Sequence, residues 1–280
     1  MRISRLVTGA AAAATALALT ACGSSSQPAT TGDATATAAG EVTTLKVGAS
    51  PVPHADILKF VNDNLAKDAG IAIEVIESTD YNIPNESLAA GDLDANFYQT
   101  VPYLEEKSAE RGYKFTPGKG IHLEPLGVYS SKIKDLKELK DGAQIGIIAD
   151  TQNQARALKL LAANDLVTLP ESGDITIHTV KAKGNYKFIE VEGAQLVRSL
   201  DDVDIAVING NYAQEGGLSI TKDALAAESP ENNPAVNVLV WRSEDDDNPA
   251  IKKLEELLHS PEVKKFIEDS WADGSVIPAF

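Results

Sequence analysis

Short apolar runs rich in β-branched residues alternate with helical patterns along most of this chain, and this alternation limits the folds open to it. The runs "TLKVGAS", "IAIEVIES", "DANFY" and "QIGIIA" are each followed by a segment with helical periodicity, such as "PNESLAAG" or "TQNQARALKLLAAN". Strands that alternate with helices are typical of βαβ units. The pattern therefore predicts an α/β fold with a mainly parallel sheet packed by helices.

The first residues have the order of a secretory signal. Arg2 and Arg5 precede an apolar stretch, residues 6–21, that is too short for a comfortable membrane span. The stretch runs into "LTAC", which places the single cysteine of the chain, Cys22, directly after a small alanine. This arrangement resembles the bacterial lipobox, whose cysteine receives a diacylglycerol and becomes the new N-terminus. We therefore expect residues 1–21 to be a lipoprotein signal peptide, and Cys22 to anchor the protein to the extracytoplasmic face of the cell membrane.

Composition changes after the cysteine. Residues 22–41 are rich in Gly, Ser, Thr and Ala and poor in large apolar residues, which predicts a flexible tether. From residue 42 onward about 240 residues remain, a length compatible with two lobes. Without residues 1–21, which carry two of the 25 basic residues, 23 basic residues face 41 acidic ones, a formal net charge of −18. Such a chain is unsuited to binding nucleic acid or anionic lipid headgroups.

A weak internal repeat suggests how those residues are divided. "ESLAAGDLDANFY" and "QLVRSLDDVDIAVING" each indicate a helix, an acidic turn and a strand, and they align Asp94 with Asp204. Each strand ends in polar or aromatic residues, and ligands of open α/β sheets collect at the carboxyl ends of strands. The repeat predicts two similarly built lobes that face each other across a ligand cleft. Chance repetition of a short acidic turn is the alternative.

The segment "IIADTQNQARALKLL" joins a strand to a helix that contains Arg156. Asp150 or Thr151 can cap this helix, and Asn153 lies one turn before Arg156. Free N–H groups at a helix start favour an anion, and an arginine can bind a carboxylate through two parallel hydrogen bonds. The segment thus indicates a carboxylate site. A solvent-exposed helix charge and a surface amide are the plainer alternatives for Arg156 and Asn153.

No catalytic motif is evident in the sequence. The four histidines are dispersed, and there is no HExxH pattern, Cys/His zinc set, GxSxG elbow, Walker loop or GxGxxG fingerprint. We therefore expect a protein that is not an enzyme and that needs no metal or other cofactor. A lipid-anchored hydrolase is the less favoured alternative, and an adhesin or sensor stays open because fold does not fix function.

Five stretches of the sequence share a resemblance to one protein family: "TDYNIPNESLAAGDLDANFYQTVPYL", "VYSSKIKDLKELKDG", "DTQNQARAL", "LVRSLDDVDIAVINGNYA" and "NPAVNVLV". In this order they resemble the NlpA/MetQ family of lipid-anchored substrate-binding proteins, which deliver methionine to ABC importers. The resemblance implies a two-lobed periplasmic-binding-protein fold, type II-like, whose hinge is crossed twice. Lobe I would comprise residues 42–126 and 237–280, and lobe II residues 127–236. The implied partners are an ABC permease with its ATPase subunits.

The same resemblance assigns the polar part of the binding site residue by residue. Arg156 would bind the carboxylate of the ligand with the assistance of Asn153. Asn209 and Asn237 would bind the amino-acid backbone of the ligand. Burial of a zwitterion demands paired polar groups, which one arginine and several amides can supply.

The aromatic part of the site would be formed by Tyr81, Tyr98 and Tyr103, with Thr100 where the family often has a histidine. Ring edges favour a polarizable thioether, so L-methionine is the leading ligand. Tyr98 and Thr100 depart from the usual "FQH" of the family, which keeps another apolar amino acid, a methionine derivative or a short peptide open. Strand alternation turns Phe97 away from this wall and toward the core.

Overall fold

Two mixed β-sheets covered by helices organise the part of the chain described by a computed structural model, residues 42–280. The predicted signal peptide and tether, and with them Cys22, lie outside the described residues. The strands are β1 (Thr43–Ala49), β2 (Ile71–Glu77), β3 (Ala95–Thr100), β4 (Phe115–Leu123), β5 (Gly127–Tyr129), β6 (Gln144–Ile148), β7 (Val167–Thr168), β8 (Lys181–Ala182), β9 (Lys187–Val191), β10 (Ile205–Ile208), β11 (Ala226–Ala227), β12 (Val236–Arg242) and β13 (Ile277–Pro278). The helices are α1 (Asp56–Val61), α2 (Ile83–Ala90), α3 (Val101–Arg111), α4 (Thr151–Ala163), α5 (Leu196–Ser199), α6 (Gly210–Glu215), α7 (Pro249–Leu258) and α8 (Pro261–Ser270).

The first sheet has the strand order β13-β4-β12-β3-β1-β2. β1 pairs in parallel with β2 and β3, whereas β12 pairs antiparallel with β3 and β4. Apolar residues of β1, α1, α7 and α8 form the core beneath this sheet, among them Val47, Ile57, Leu254 and Ile267. We call this sheet with α1, α2, α3, α7 and α8 lobe I.

The second sheet has the order β11-β5-β10-β6-β9, and β7 and β8 form a separate antiparallel ribbon. β6 pairs in parallel with β9 and β10, whereas β5 pairs antiparallel with β10 and β11. Ile145, Leu158 and Val207 belong to the core on the α4 side. We call this sheet with α4, α5 and α6 lobe II.

The chain passes between the two sheets twice, once from β4 to β5 and once from β11 to β12. The expected two-lobed α/β fold with a doubly crossed hinge is confirmed. The expectation of a mainly parallel sheet is wrong, because β5 and β12 begin at the hinge whereas β3 and β10 end there, so these neighbours run in opposite directions.

The internal repeat corresponds to the same local structure in both lobes. Asp94 accepts a hydrogen bond from the backbone N–H of Lys46 at 2.7 Å and returns one from its own N–H to the Lys46 carbonyl at 2.9 Å. Asp204 makes the same two bonds with Gln144, at 2.7 and 2.9 Å. Each aspartate thereby starts a strand beside its parallel neighbour, which brings the ends of β3 and β10 to the same cleft.

The helices of the described range include none with the length and apolar character of a membrane span.

Candidate functional site

A cavity lies between the lobes, at the ends of β3 and β10 and beside both chain crossings. It brings together all eight residues that the sequence assigned to a binding site. These are Tyr81, Tyr98, Thr100, Tyr103, Asn153, Arg156, Asn209 and Asn237. Five further residues, absent from that set, complete the lining: His54, Gln99, Glu124, Gly210 and Asn211.

Three tyrosines from lobe I form one wall of the cavity. The ring centroid of Tyr81 lies 5.8 Å from that of Tyr98 and 5.9 Å from that of Tyr103, and the Tyr98 and Tyr103 centroids are 6.2 Å apart. Burial raises the pKa of all three hydroxyls above the usual range, so each is a neutral donor. The Tyr98 hydroxyl is buried and has no hydrogen-bond partner within residues 42–280. The wall is therefore apolar in its rings and has one polar tip available to a bound molecule.

Phe97 lies on the other face of β3, as strand alternation predicts. Its ring belongs to the lobe I core and contacts His54 and His122 edge-on, with centroids 4.8 and 5.3 Å away. The prediction that Phe97 faces the core is confirmed.

Thr100 and Asp150 position cavity residues by capping helices. The Thr100 hydroxyl accepts a bond from the Tyr103 N–H at 3.5 Å and begins α3. The Asp150 carboxylate accepts a bond from the Asn153 N–H at 2.8 Å and begins α4. Because the caps fix the first turns, Tyr103 and Asn153 are held at the helix starts that face the cleft.

Arg156 extends from α4 to the junction of the cavity and the hinge. Its Nε and Nη2 donate to Glu228 at 2.9 and 2.5 Å, and Nη2 also donates to the backbone oxygen of Glu124 at 2.7 Å. The side chain is only 11% exposed, so the alternative of a solvent-exposed helix charge is wrong. The two parallel donors expected for a ligand carboxylate are used by Glu228, which leaves Nη1 without a bond to residues 42–280.

Amide side chains form another part of the polar wall. Asn153 is buried, which excludes the surface-amide alternative, and its Oδ1 accepts a bond from Asn209 Nδ2 at 3.1 Å.

Asn211 accepts a bond from the Tyr81 hydroxyl at 2.5 Å, and Tyr212 donates to the Thr79 carbonyl at 2.8 Å. The last two bonds connect lobe II to lobe I, so the structure has the lobes in contact around the cavity.

Glu124 occupies the floor of the cavity, on the first chain crossing, and is 5% exposed. Its Oε1 lies 2.8 Å from His122 Nε2 and 3.3 Å from Asn237 Nδ2, and 3.4 Å from His54 Nε2. Burial raises the pKa of the Glu124 carboxyl to about 7 and lowers those of His54 and His122 to about 4 and about 3. Both histidines are therefore neutral near pH 7, where Glu124 changes its charge.

Gly210 allows Glu124 to approach lobe II closely. A Cβ at position 210 would lie 2.7 Å from Glu124 Cβ and 3.2 Å from its Oε2. Since real Cβ contacts are not that short, only glycine fits at the start of α6 while the lobes are in contact.

His54, His122 and Glu124 are the group within the described residues that could offer three ligand atoms to a metal ion, since those atoms lie within 4.8 Å of one another. A metal-binding histidine generally donates its second ring N–H to a fixed acceptor. Here Nδ1 of both histidines has no partner in the described part of the chain. The arrangement fits a hydrogen-bond network around a carboxyl group better than a metal site.

The residues that the sequence did not single out carry weak local signals. Gly210 and Asn211 directly follow Asn209 at the end of a strand, where ligands of open α/β sheets collect. Glu124 is a carboxylate inside the apolar crossing "HLEPLG", and His54 follows the first strand. An ionisable residue in an apolar segment next to a hinge is the signal that could have identified Glu124.

The fold and the cavity define a two-lobed substrate-binding protein. The model of the family described as NlpA lipoprotein matches residues 45–280, and the chain belongs to this family.

Relatives and solved structures agree with this assignment. The methionine-binding lipoprotein MetQ of Bacillus subtilis (strain 168) is 38% identical over 83% of this chain and 86% of its own. A putative lipoprotein of Actinomyces odontolyticus has a TM-score of 0.84 and is 64% identical, with 85% of this chain and 100% of that one covered.

Two further solved structures are similar to this chain. A periplasmic substrate-binding protein of an ABC transporter from Coxiella burnetii has a TM-score of 0.80 at 38% identity, over 84% of this chain and 100% of that one. A nutrient-binding protein from Burkholderia cenocepacia bound to methionine has a TM-score of 0.81 at 38% identity, with the same shares of the chains covered. Both resemble this chain along nearly all of the described residues.

Proposed function

We propose that this protein captures L-methionine, or a closely related apolar amino acid, in the cavity between its lobes and delivers it to an ABC importer. The observation that carries the proposal is the single cavity in which a buried arginine and several amides face three tyrosine rings. Charged and amide groups suit the backbone of an amino acid, and the rings suit a polarizable side chain. The methionine-bound Burkholderia structure and the name of the Bacillus relative support this choice of ligand.

The polar and aromatic residues of the cavity suggest how one amino acid would bind. In the proposed complex the carboxylate of the ligand binds Nη1 of Arg156, next to Asn153 and Asn209. The side chain of the ligand then lies against Tyr81, Tyr98 and Tyr103, beside Thr100.

Delivery depends on closure of the lobes. We assign residues 42–126 and 237–280 to lobe I and residues 127–236 to lobe II, which move about the two chain crossings. Because the ligand contacts both lobes only when they are together, it favours the closed form over the open form. The closed form is the state that we expect an ABC permease, with its ATPase subunits, to recognise.

The protein acts at the membrane through its N-terminus. The lipobox-like "LTAC" supports attachment of lipid to Cys22 and an extracytoplasmic location, with residues 22–41 as the tether. The family membership supports a binding role without enzymatic activity.

Calorimetric titration tests the proposal. The chain without residues 1–22, unfolded and refolded to remove any bound ligand, is titrated with L-methionine, D-methionine, other apolar amino acids and methionine-containing dipeptides. One-to-one binding that is tightest for L-methionine is the expected result. Tighter binding of another amino acid or of a peptide would reassign the cargo, and a folded protein that binds none of them would contradict the proposal in favour of an adhesin or sensor.

A further inference from the structure

The Glu124 carboxylate on the cavity floor has one oxygen without a side-chain partner. Oε1 is held by His122 and Asn237, whereas Oε2 is buried against Gly210, beside the backbone N–H of Asn211, and makes no side-chain hydrogen bond within residues 42–280. A carboxylate has about four acceptor sites, so these contacts leave it able to accept further hydrogen bonds. A bound molecule that donates hydrogen bonds would supply them.

Three amide oxygens around the cavity already have partners. The amide oxygen of Asn211 already accepts from the Tyr81 hydroxyl, that of Asn237 faces His54 at 3.1 Å, and that of Asn153 accepts from Asn209. Among these groups Glu124 alone can carry a full negative charge. An ammonium, with three N–H donors and a positive charge, is the ligand group that fits it best.

We propose that Glu124 binds the α-ammonium of the amino acid, held in place by His122 and Asn237. This inference rests on the proposed function and adds to it the second charge contact of the ligand. In this arrangement Asn237 does not contact the amino-acid backbone directly but acts as a positioning residue for Glu124.

The position of Arg156 narrows the ligand to an α-amino acid. Its Nη2 donates to the backbone oxygen of Glu124 at 2.7 Å, so the guanidinium and the carboxylate belong to adjacent parts of the same wall. In an α-amino acid the carboxylate and the ammonium are attached to one carbon, so both can reach neighbouring partners at once. In a dipeptide the two charges are separated by a further residue, which this spacing disfavours.

Ionisation of Glu124 links binding to pH. The titratable and charged groups that face it are His54, His122 and Arg156, with Tyr81 and Glu215 farther away. Burial raises the pKa of Glu124 to about 7, so below that pH the empty cavity holds a neutral carboxyl group. An ammonium binds the ionised form, and binding therefore releases a proton. The apparent affinity should fall about tenfold for each pH unit below 7, because only the ionised fraction is competent to bind.

The experiment compares L-methionine with 4-(methylsulfanyl)butanoate, which lacks only the amino group, on the unmodified protein and on Glu124→Gln. Glutamine keeps the size of the side chain and an oxygen for His122 and Asn237 but cannot be charged. We expect the substitution to weaken L-methionine binding 100-fold or more and to leave binding of the desamino compound within threefold. The substitution should also abolish the loss of L-methionine affinity between pH 7 and pH 6. It should abolish the release of a proton on binding, which calorimetry in buffers of different ionisation heat measures. Glu124→Asp, which restores a charge one methylene farther away, should bind L-methionine with intermediate affinity.

The outcomes separate this inference from the proposed function. Normal L-methionine binding by Glu124→Gln, or an equal loss for both compounds, would overturn the role of Glu124 while the methionine-binding function stands. Failure of the folded, unmodified protein to bind L-methionine would overturn the proposed function and this assignment with it.

Discussion

Arg156 and Glu228 form a largely buried ion pair, with Nη2 2.5 Å and Nε 2.9 Å from the two carboxylate oxygens. Glu228 Oε2 also accepts the backbone N–H of Leu126 at 3.2 Å, on the first chain crossing. The pair therefore connects α4 of lobe II to the hinge, and it fixes which edge of the guanidinium faces the cavity. Two kinds of substitution separate the charge of Arg156 from its orientation.

Arg156→Ala should weaken L-methionine binding by about 2–5 kcal/mol, because the ligand carboxylate would be buried without a charged partner. Calorimetric titration measures this loss. Arg198→Ala, on the exposed face of α5, removes the same charge away from the cavity and should leave the affinity unchanged. A loss for Arg156→Ala no larger than that of the control would show that the carboxylate binds elsewhere.

Glu228→Gln should weaken binding less than Arg156→Ala, by about tenfold, since the guanidinium keeps its charge but loses its bidentate support. When Glu228→Gln is already present, Arg156→Ala should weaken binding less than it does in the unmodified protein, because both changes act through the guanidinium of Arg156. A double-mutant cycle with the same titration provides this coupling. Glu231→Gln, on the exposed loop after β11, is the matched control. Strict additivity of the two effects would contradict a positioning role for Glu228.

Tyr81→Phe should shift the protein toward the open arrangement of the lobes. The change removes the 2.5 Å bond to Asn211 across the cleft but keeps the stacking of the ring on Tyr212, at 4.9 Å between centroids. One lost bond of this kind is worth about 1 kcal/mol, or roughly fivefold in affinity. Small-angle scattering of the empty protein should show a larger radius of gyration, and Tyr186→Phe, within lobe II, should show none of this effect. Equal radii for both variants would mean that the bond does not influence closure.

The fold class and most of the cavity residues could be predicted from the sequence, whereas Glu124 and Glu228 could not. Strand alternation and the Asp94 repeat are local patterns, so the two α/β lobes could be predicted from them. Arg156 was indicated by its place near the start of a helix that follows a strand, the tyrosines came from a family resemblance, and the structure brings them to one cavity. Glu124 and Glu228 were missed because they are two of 41 acidic residues. Their partners, Asn237 and Arg156, lie 113 and 72 positions away and become neighbours only through the doubly crossed hinge.

The free energy of unfolding of the empty protein should depend on pH through the histidines of the cavity floor. Burial lowers the pKa of His54 to about 4 and that of His122 to about 3, so below pH 6.5 the unfolded chain binds these protons first and stability falls. Glu124, with a pKa raised to about 7, acts in the opposite sense, since its unfolded form ionises from pH 4.5 upward. In this pH range the unfolded chain binds two histidine protons, whereas the folded chain binds one carboxyl proton. The protein should therefore lose about 1.4 kcal/mol of stability per pH unit as the pH falls from 6.5 to 4.5.

His122→Gln isolates this effect. The variant has no imidazole at position 122 to protonate in the unfolded chain. As the pH falls from 6.5 to 4.5, its free energy of unfolding should therefore rise by about 2–3 kcal/mol relative to that of the unmodified protein. Urea unfolding at a series of pH values gives the two curves. His178→Gln changes an exposed histidine and should follow the unmodified protein throughout. If the His122→Gln curve ran parallel to that of the unmodified protein, the His122 ring would titrate alike in the folded and unfolded chains, contrary to its burial between Phe97 and Glu124.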